Sequence, residues 1–310
     1  MTFSLIIFDR HSDIRVVWKV VLFLLLSSGI FFGLASVLIF IHVETLLAVF
    51  SLFVLAVGIA TYVMIRFIHR KPFRAVGLYL QPTTFREFGV GCLLGFLMMF
   101  GILIILVSLG YAQFSMTASS PGNVLLTISS AVAFFAIAAF AEELFFRGYL
   151  FQVLTQGLTL FPATIIMAVA FSFSHGSNPS VDTLAFVNIA LAGLWLSIAY
   201  VKTRSLWLPF GLHFSWNFSQ TTLFGFPTSG IQFADYRINS SVVTGPSWLT
   251  GGDFGPEAGV LATVAILLCT WYILKAKYLS TPVGLITLDS LEDILPPQNG
   301  DTDIVKQESG

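Results

Sequence analysis

Long uncharged apolar runs broken by short polar connections set the pattern of this chain. Val20–Ile41, Thr45–Ile65, Thr183–Val201 and Ala258–Leu274 carry no charged residue, and neither does Phe88–Ala141, which the polar stretch Ser115–Asn123 divides in two. Each run is near the roughly 20 residues that a helix needs to cross a hydrocarbon core. The pattern predicts eight spans, at 18–41, 45–65, 88–110, 124–146, 160–175, 183–201, 205–226 and 257–274. The fifth is short for a crossing, and Gly148–Leu160 before it reads as a separate helix along the membrane face. The seventh carries Pro209 in its interior, which removes a backbone donor and invites a kink. The fold class expected is all-α, a polytopic bundle of about eight transmembrane helices.

Composition agrees with this reading. The 310 residues are 56% hydrophobic and only 10% charged, with a mean hydropathy of +0.88, whereas a soluble domain carries about 25% charged residues. The net charge of −1 leaves no basic stripe for phosphates, so no nucleic-acid partner is expected. Cys92 and Cys269 both fall inside predicted spans and read as apolar fillers. The first apolar run is too long for the h-region of a signal peptide and is expected to remain as the first span. Three regions follow: 1–120 with three spans and a loop, 121–278 with the remaining spans, and an acidic tail at 279–310 whose composition predicts disorder.

Basic residues favour the cytoplasmic side. An inside N-terminus and eight spans place 14 of the 15 Lys and Arg residues on that side and leave Arg237 outside. Both termini are then cytoplasmic.

Against this apolar background Glu142 and Glu143 stand side by side, with Arg147 just beyond. An ionised carboxylate at membrane depth costs from about 2.5 to above about 10 kcal/mol, so two in succession demand partners or a function. On a helix Glu143 and Arg147 share a face four residues apart, in the favourable order for an ion pair. Glu142 points about 100° away. Arg147 can therefore neutralise Glu143 and leave Glu142 facing a cavity as a general base. His175 closes an apolar run. His213 lies inside a span with Asn217 one turn further along the same face, and both need a polar partner in the bundle. A structural ion-pair cluster, an interfacial histidine and a helix–helix hydrogen bond are the bland readings of these groups. There is no His-Glu-x-x-His zinc motif and no Gly-x-Ser-x-Gly elbow.

Glu142-Glu143-Leu-Phe-Phe-Arg147, Phe171-Ser-Phe-Ser-His175 and His213-Phe-Ser-Trp-Asn217, in that order, resemble the motif set of the CAAX-protease and bacteriocin-processing family of intramembrane endopeptidases. Gly255-Pro-Glu257-Ala-Gly259 is similar to a loop of bacterial members, which implies a bacterial plasma membrane. The resemblance implies an endopeptidase with a polar cavity opening to the cytoplasm, lipid as its surroundings and a membrane-associated peptide or protein as substrate. Glu142 would activate water, Glu143 would pair with Arg147, and His175, His213 and Asn217 would complete the site. Two schemes stay open. His175, His213 and Glu142 could hold Zn2+ with one position left for water, or Glu142 could deprotonate water directly while His213 and Asn217 stabilise the oxyanion. The lack of a close His-x-x-x-His pair favours the metal-free scheme. Outside the peptidase class, the same residues would serve a non-catalytic scaffold or immunity protein, or a proton- or cation-coupled transporter. The missing internal repeat counts against the last.

Overall fold

The computed structural model describes residues 14–43, 45–116 and 120–280; the acidic tail expected at 279–310 lies outside them apart from its first two residues. The chain is an all-α polytopic bundle. Its helices are α1 (Val16–Phe40), α2 (Leu46–Val63), α3 (Pro82–Ser108), α4 (Pro121–Glu143), α5 (Phe151–Gly157), α6 (Leu160–Ser174), α7 (Thr183–Thr203), α8 (Trp207–Phe218) and α9 (Val260–Lys275). Five stretches are long and apolar enough to cross a membrane, the longest being Pro121–Gly157; α6 and α9 are shorter apolar helices. Helix starts follow their sequence signals. Ser120 and Asp182 accept from the backbone N–H of Asn123 and Ala185, and Gln81 and Thr84 form a reciprocal cap before α3. Leu25, Phe32 and Ile39 of α1 stay exposed, as lipid-facing side chains do.

Two expectations change. Gly148–Leu160 is not a separate helix on the membrane face. α4 runs through a π-helical stretch, Leu144–Leu150, directly into α5. Nor does Pro209 kink an interior. It sits in the first turn of α8, as Pro162 does in α6, where the missing N–H has no intrahelical partner to lose. A small antiparallel sheet that the sequence pattern did not suggest also appears. Strand β1 (Ala112–Met116) pairs with β2 (Asn239–Val243), Phe114 opposite Ser241, and ties two connections together at one end of the bundle.

The continuous α4–α5 helix sets the depth of the site. Glu142 lies about 15 residues before the end of α5, and His175 lies about 15 residues after the start of the antiparallel α6. At 1.5 Å per residue both stand about 22 Å from that turn. Helix length, not a kink, brings them level.

The approach of α3 to α8 fixes the other half of the site. A Cβ added at Gly91 or Gly95 would stand 2.6 Å from Leu208 O or Leu212 O, and one at Gly211 would strike Phe88 O. Small residues let backbones meet this closely in membranes. Ser215 Oγ donates to Cys92 O at 2.6 Å across the same seam. Gly211 and Ser215 occupy this face, so His213 and Asn217, two residues further on each time, point to the opposite one. Gly95→Val should force the seam apart and lower thermal stability in detergent by about 1–3 kcal/mol, while Gly101→Val, where a Cβ meets open space, should not. Equal melting temperatures for the two variants would contradict this packing.

Candidate active site

Glu143 and Arg147 are fully buried. Arg147 Nη1 donates to Glu143 Oε1 at 2.9 Å, Nη2 donates to Gly193 O at 3.1 Å, and the guanidinium lies 4.7 Å from the Phe171 ring centroid. Gly193 makes that carbonyl reachable, since a Cβ there would lie 2.9 Å from Ala168 Cα and hold α6 and α7 apart. His213 Nδ1 is 2.9 Å from the same Glu143 Oε1. An ionised carboxylate only accepts, so His213 carries its proton on Nδ1 and turns Nε2 to the other side.

Glu142 is on that side. Its Oε2 stands 3.9 Å from His213 Nε2 and 4.0 Å from His175 Nε2, and it is buried with no hydrogen-bond partner among the described residues. His175 Nδ1 lies 2.9 Å from Phe171 O, a pure acceptor, which assigns the Nδ1–H tautomer to this ring too. Two imidazole lone pairs and a carboxylate oxygen thus converge on a gap too wide for direct hydrogen bonds. Only a donor or a cation satisfies them. One guanidinium also faces two carboxylates, so a further proton or cation balances the remaining charge.

The gap adjoins a cavity of about 400 Å³ lined by Glu142, His175, Asn217 and Ser229 and by phenylalanines, among them Phe50, Phe53, Phe135 and Phe145. Asn217 also borders a small pocket of about 50 Å³ behind the histidines, with Asn188, Trp216 and Glu257. Of the six residues expected at the site, Glu142, His175, His213 and Asn217 line these spaces, and Glu143 and Arg147 lie buried behind His213. Among the described residues no three His, Cys, Asp or Glu side chains are already grouped tightly enough to hold a metal ion.

Glu257 had no role in the sequence reading. Its Oε2 accepts from the Ser229 N–H and hydroxyl, and its Oε1 from Trp216 Nε1 at 3.3 Å. Burial raises its carboxyl above the ordinary range, and the Ser229 donors act against that. Asn188 Nδ2 in turn donates to the carbonyls of Glu257 and Gly259 at 2.7 and 3.0 Å. Glu257 therefore clamps the cavity-lining Ser229, held in the left-handed region at φ 50°, to the helix that carries His213. The available signal was the Gly255-Pro-Glu257-Ala-Gly259 segment, in which the resemblance was seen but Glu257 was given no task.

The cavity walls continue into Asn178, Thr228, Ile231 and Phe233, in the connections at the end of the bundle that carries the β-sheet. The basic residues cluster at the other end, where Lys19 Nζ donates to Gln156 at 3.1 Å and Lys202 Nζ to Leu274 O at 3.0 Å. These cavity walls and the basic cluster lie at opposite ends of the bundle.

Residues 123–219 match the family model of the type II CAAX prenyl endopeptidase Rce1-like proteins. This segment is similar to those proteins. It holds all six residues above and excludes Glu257. An uncharacterised protein of Bacillus subtilis (strain 168), YyaK, is 28% identical over 148 residues, which cover 47% of this chain and 46% of that protein. The chain thus spans about half the length of this curated relative. No solved structure matches.

The two contacts to Glu143 Oε1 make this carboxylate the hub of the site. Glu143→Gln should leave Arg147 and His213 without an anionic acceptor and destabilise the protein by about 3–5 kcal/mol, read as a lower melting temperature in detergent. An unchanged melting temperature would show that Arg147 is neutralised elsewhere.

Proposed function

We propose that this chain is an intramembrane endopeptidase that hydrolyses peptide bonds of membrane-associated substrates with water activated by Glu142. The observation that carries the reading is the convergence of Glu142 Oε2 with two histidine Nε2 atoms at 3.9 and 4.0 Å, beside a cavity large enough for a side chain. A water in the gap donates one hydrogen to Glu142 and the other to a histidine, with its oxygen aimed into the cavity. Glu142 takes the proton as that oxygen attacks the carbonyl carbon, then returns it to the leaving amine. Asn217, which lines the cavity, donates its amide N–H to the developing oxyanion, as does His213 when protonated at Nε2. Arg147 and Glu143 touch no substrate and hold His213 in its tautomer. The phenylalanine wall suits a bulky apolar side chain next to the cut bond.

A second reading has one observation in its favour. Three acceptors around a gap are also a donor set for Zn2+, with the ring tautomers already fixed by second partners. His175, His213 and Glu142 would hold the ion, which when bound would lower the pKa of a water and polarise the carbonyl.

Glu142→Gln should abolish cleavage of a membrane peptide by purified protein while the protein stays folded; full activity in that variant would remove Glu142 from the reaction. Asn217→Ala should slow turnover about 100- to 1000-fold, the usual loss for one oxyanion donor. Prolonged chelation should leave the wild type active under the metal-free scheme. Loss of activity that stoichiometric zinc restores would select the second reading instead.

A further inference from the structure

The cavity walls formed by Asn178, Thr228, Ile231 and Phe233 and the basic end of the molecule lie at opposite ends of the bundle. Arg66, Arg74, Arg86, Lys202 and Lys275 fall at or beside the helix ends that meet the 70–81 connection and the turn at 204–206. Leu206 N donates to Gly77 O at 3.0 Å there, which fixes those two connections at one level. At the other end Asn178 Nδ2 donates to Ser229 O at 2.9 Å, and Thr244 N to Tyr111 O at 3.0 Å. Arg237 is the single Lys or Arg among the described residues of that end, against Asp182, Asp235 and Asp253. Such a charge bias orients a polytopic protein with its basic end in the cytoplasm.

The basic end is closed to the site. Between Glu142 and the α5–α6 turn lie Phe146, Arg147, Tyr149, Leu150, Phe151 and Val153, all buried. Phe145 continues the seal by packing its ring 5.7 Å from Phe23 and 5.8 Å from Phe53. Towards the sheet end the walls loosen: Ser174, which lines the cavity, is exposed, and Asn178, Ser229, Ile231 and Phe233 are only half-buried.

We propose that the cavity is loaded from the face of the membrane opposite the cytoplasm, so that its substrates are exported peptides or the outward-facing segments of membrane proteins. The proposal rests on the peptidase reading for the word substrate, and on geometry and charge alone for sidedness. It gives the loop 228–233 a function: clamped by Glu257 and Asn178, it forms the rim over which a chain enters from outside. The phenylalanines below the rim then receive an apolar side chain carried down to Glu142.

Sidedness and chemistry are tested apart. In full-length protein with Cys92→Ala and Cys269→Ala, a single cysteine is placed at the rim (Ile231→Cys) or at the basic end (Lys277→Cys) and exposed to a membrane-impermeant maleimide. In intact cells Ile231→Cys should label, and Lys277→Cys should label only after permeabilisation. The reverse pattern would overturn the proposal. A charged fluorogenic peptide that the detergent-solubilised wild type cleaves is then added to sealed right-side-out vesicles. It should be cut without permeabilisation, and not by Glu142→Gln. Cleavage confined to inside-out vesicles would also overturn the proposal. If no peptide is cut even in detergent while Ile231→Cys labels from outside, the peptidase reading and the substrate class fall and the sidedness stands.

Discussion

A guanidinium with no exposed surface in the middle of an apolar bundle has to be met from several directions, and the way Arg147 is met organises this molecule. Glu143 meets it from its own helix, Gly193 from α7, and the ring of Phe171 from α6. The same Glu143 oxygen takes His213 from α8. Four helices are therefore tied to one ion pair. Removing one partner of such a pair leaves a buried charge uncompensated, which costs far more than the intact pair contributes. The network also fixes chemistry, because an acceptor-only carboxylate dictates which nitrogen of His213 carries the proton.

Packing puts the rest of the site within reach of that network. The seam of Gly91, Gly95 and Gly211 brings α8 onto α3 and turns His213 and Asn217 away from it. The unbroken passage from α4 through a π-helical stretch into α5 sets Glu142 level with His175. Single π-turns occur often at functional sites, and here one lies immediately after the two acids. Glu257 closes the far side by holding Ser229 and Trp216 together.

Much of this was legible in the chain. Carboxylates, histidines and an asparagine in apolar runs are costly enough to mark a site without any structure, and the spacing of Glu143 and Arg147 foretold their pairing. The level of His175 was not legible. An apolar run does not reveal whether Gly148–Gly157 continues a helix or lies beside it, and that difference moves α6 along the membrane normal. Pro209 misled because a proline in an apolar stretch reads the same in a first turn as in an interior. Glu257 and the sheet depend on contacts between residues far apart in sequence, such as Phe114 with Ser241, which local patterns do not encode. The end of the bundle toward which the cavity walls continue needed the depth of every lining residue at once.

The claim on which the account turns is that Glu143 holds His213 in the Nδ1–H tautomer and aims Nε2 at Glu142. Nitrogen NMR of ring-labelled histidine in the purified protein reads this directly, with His213→Gln supplying the assignment. The account predicts a protonated Nδ1 on His213 in the wild type, with that signature lost in Glu143→Ala. A neutral Nε2–H ring in the wild type would contradict it.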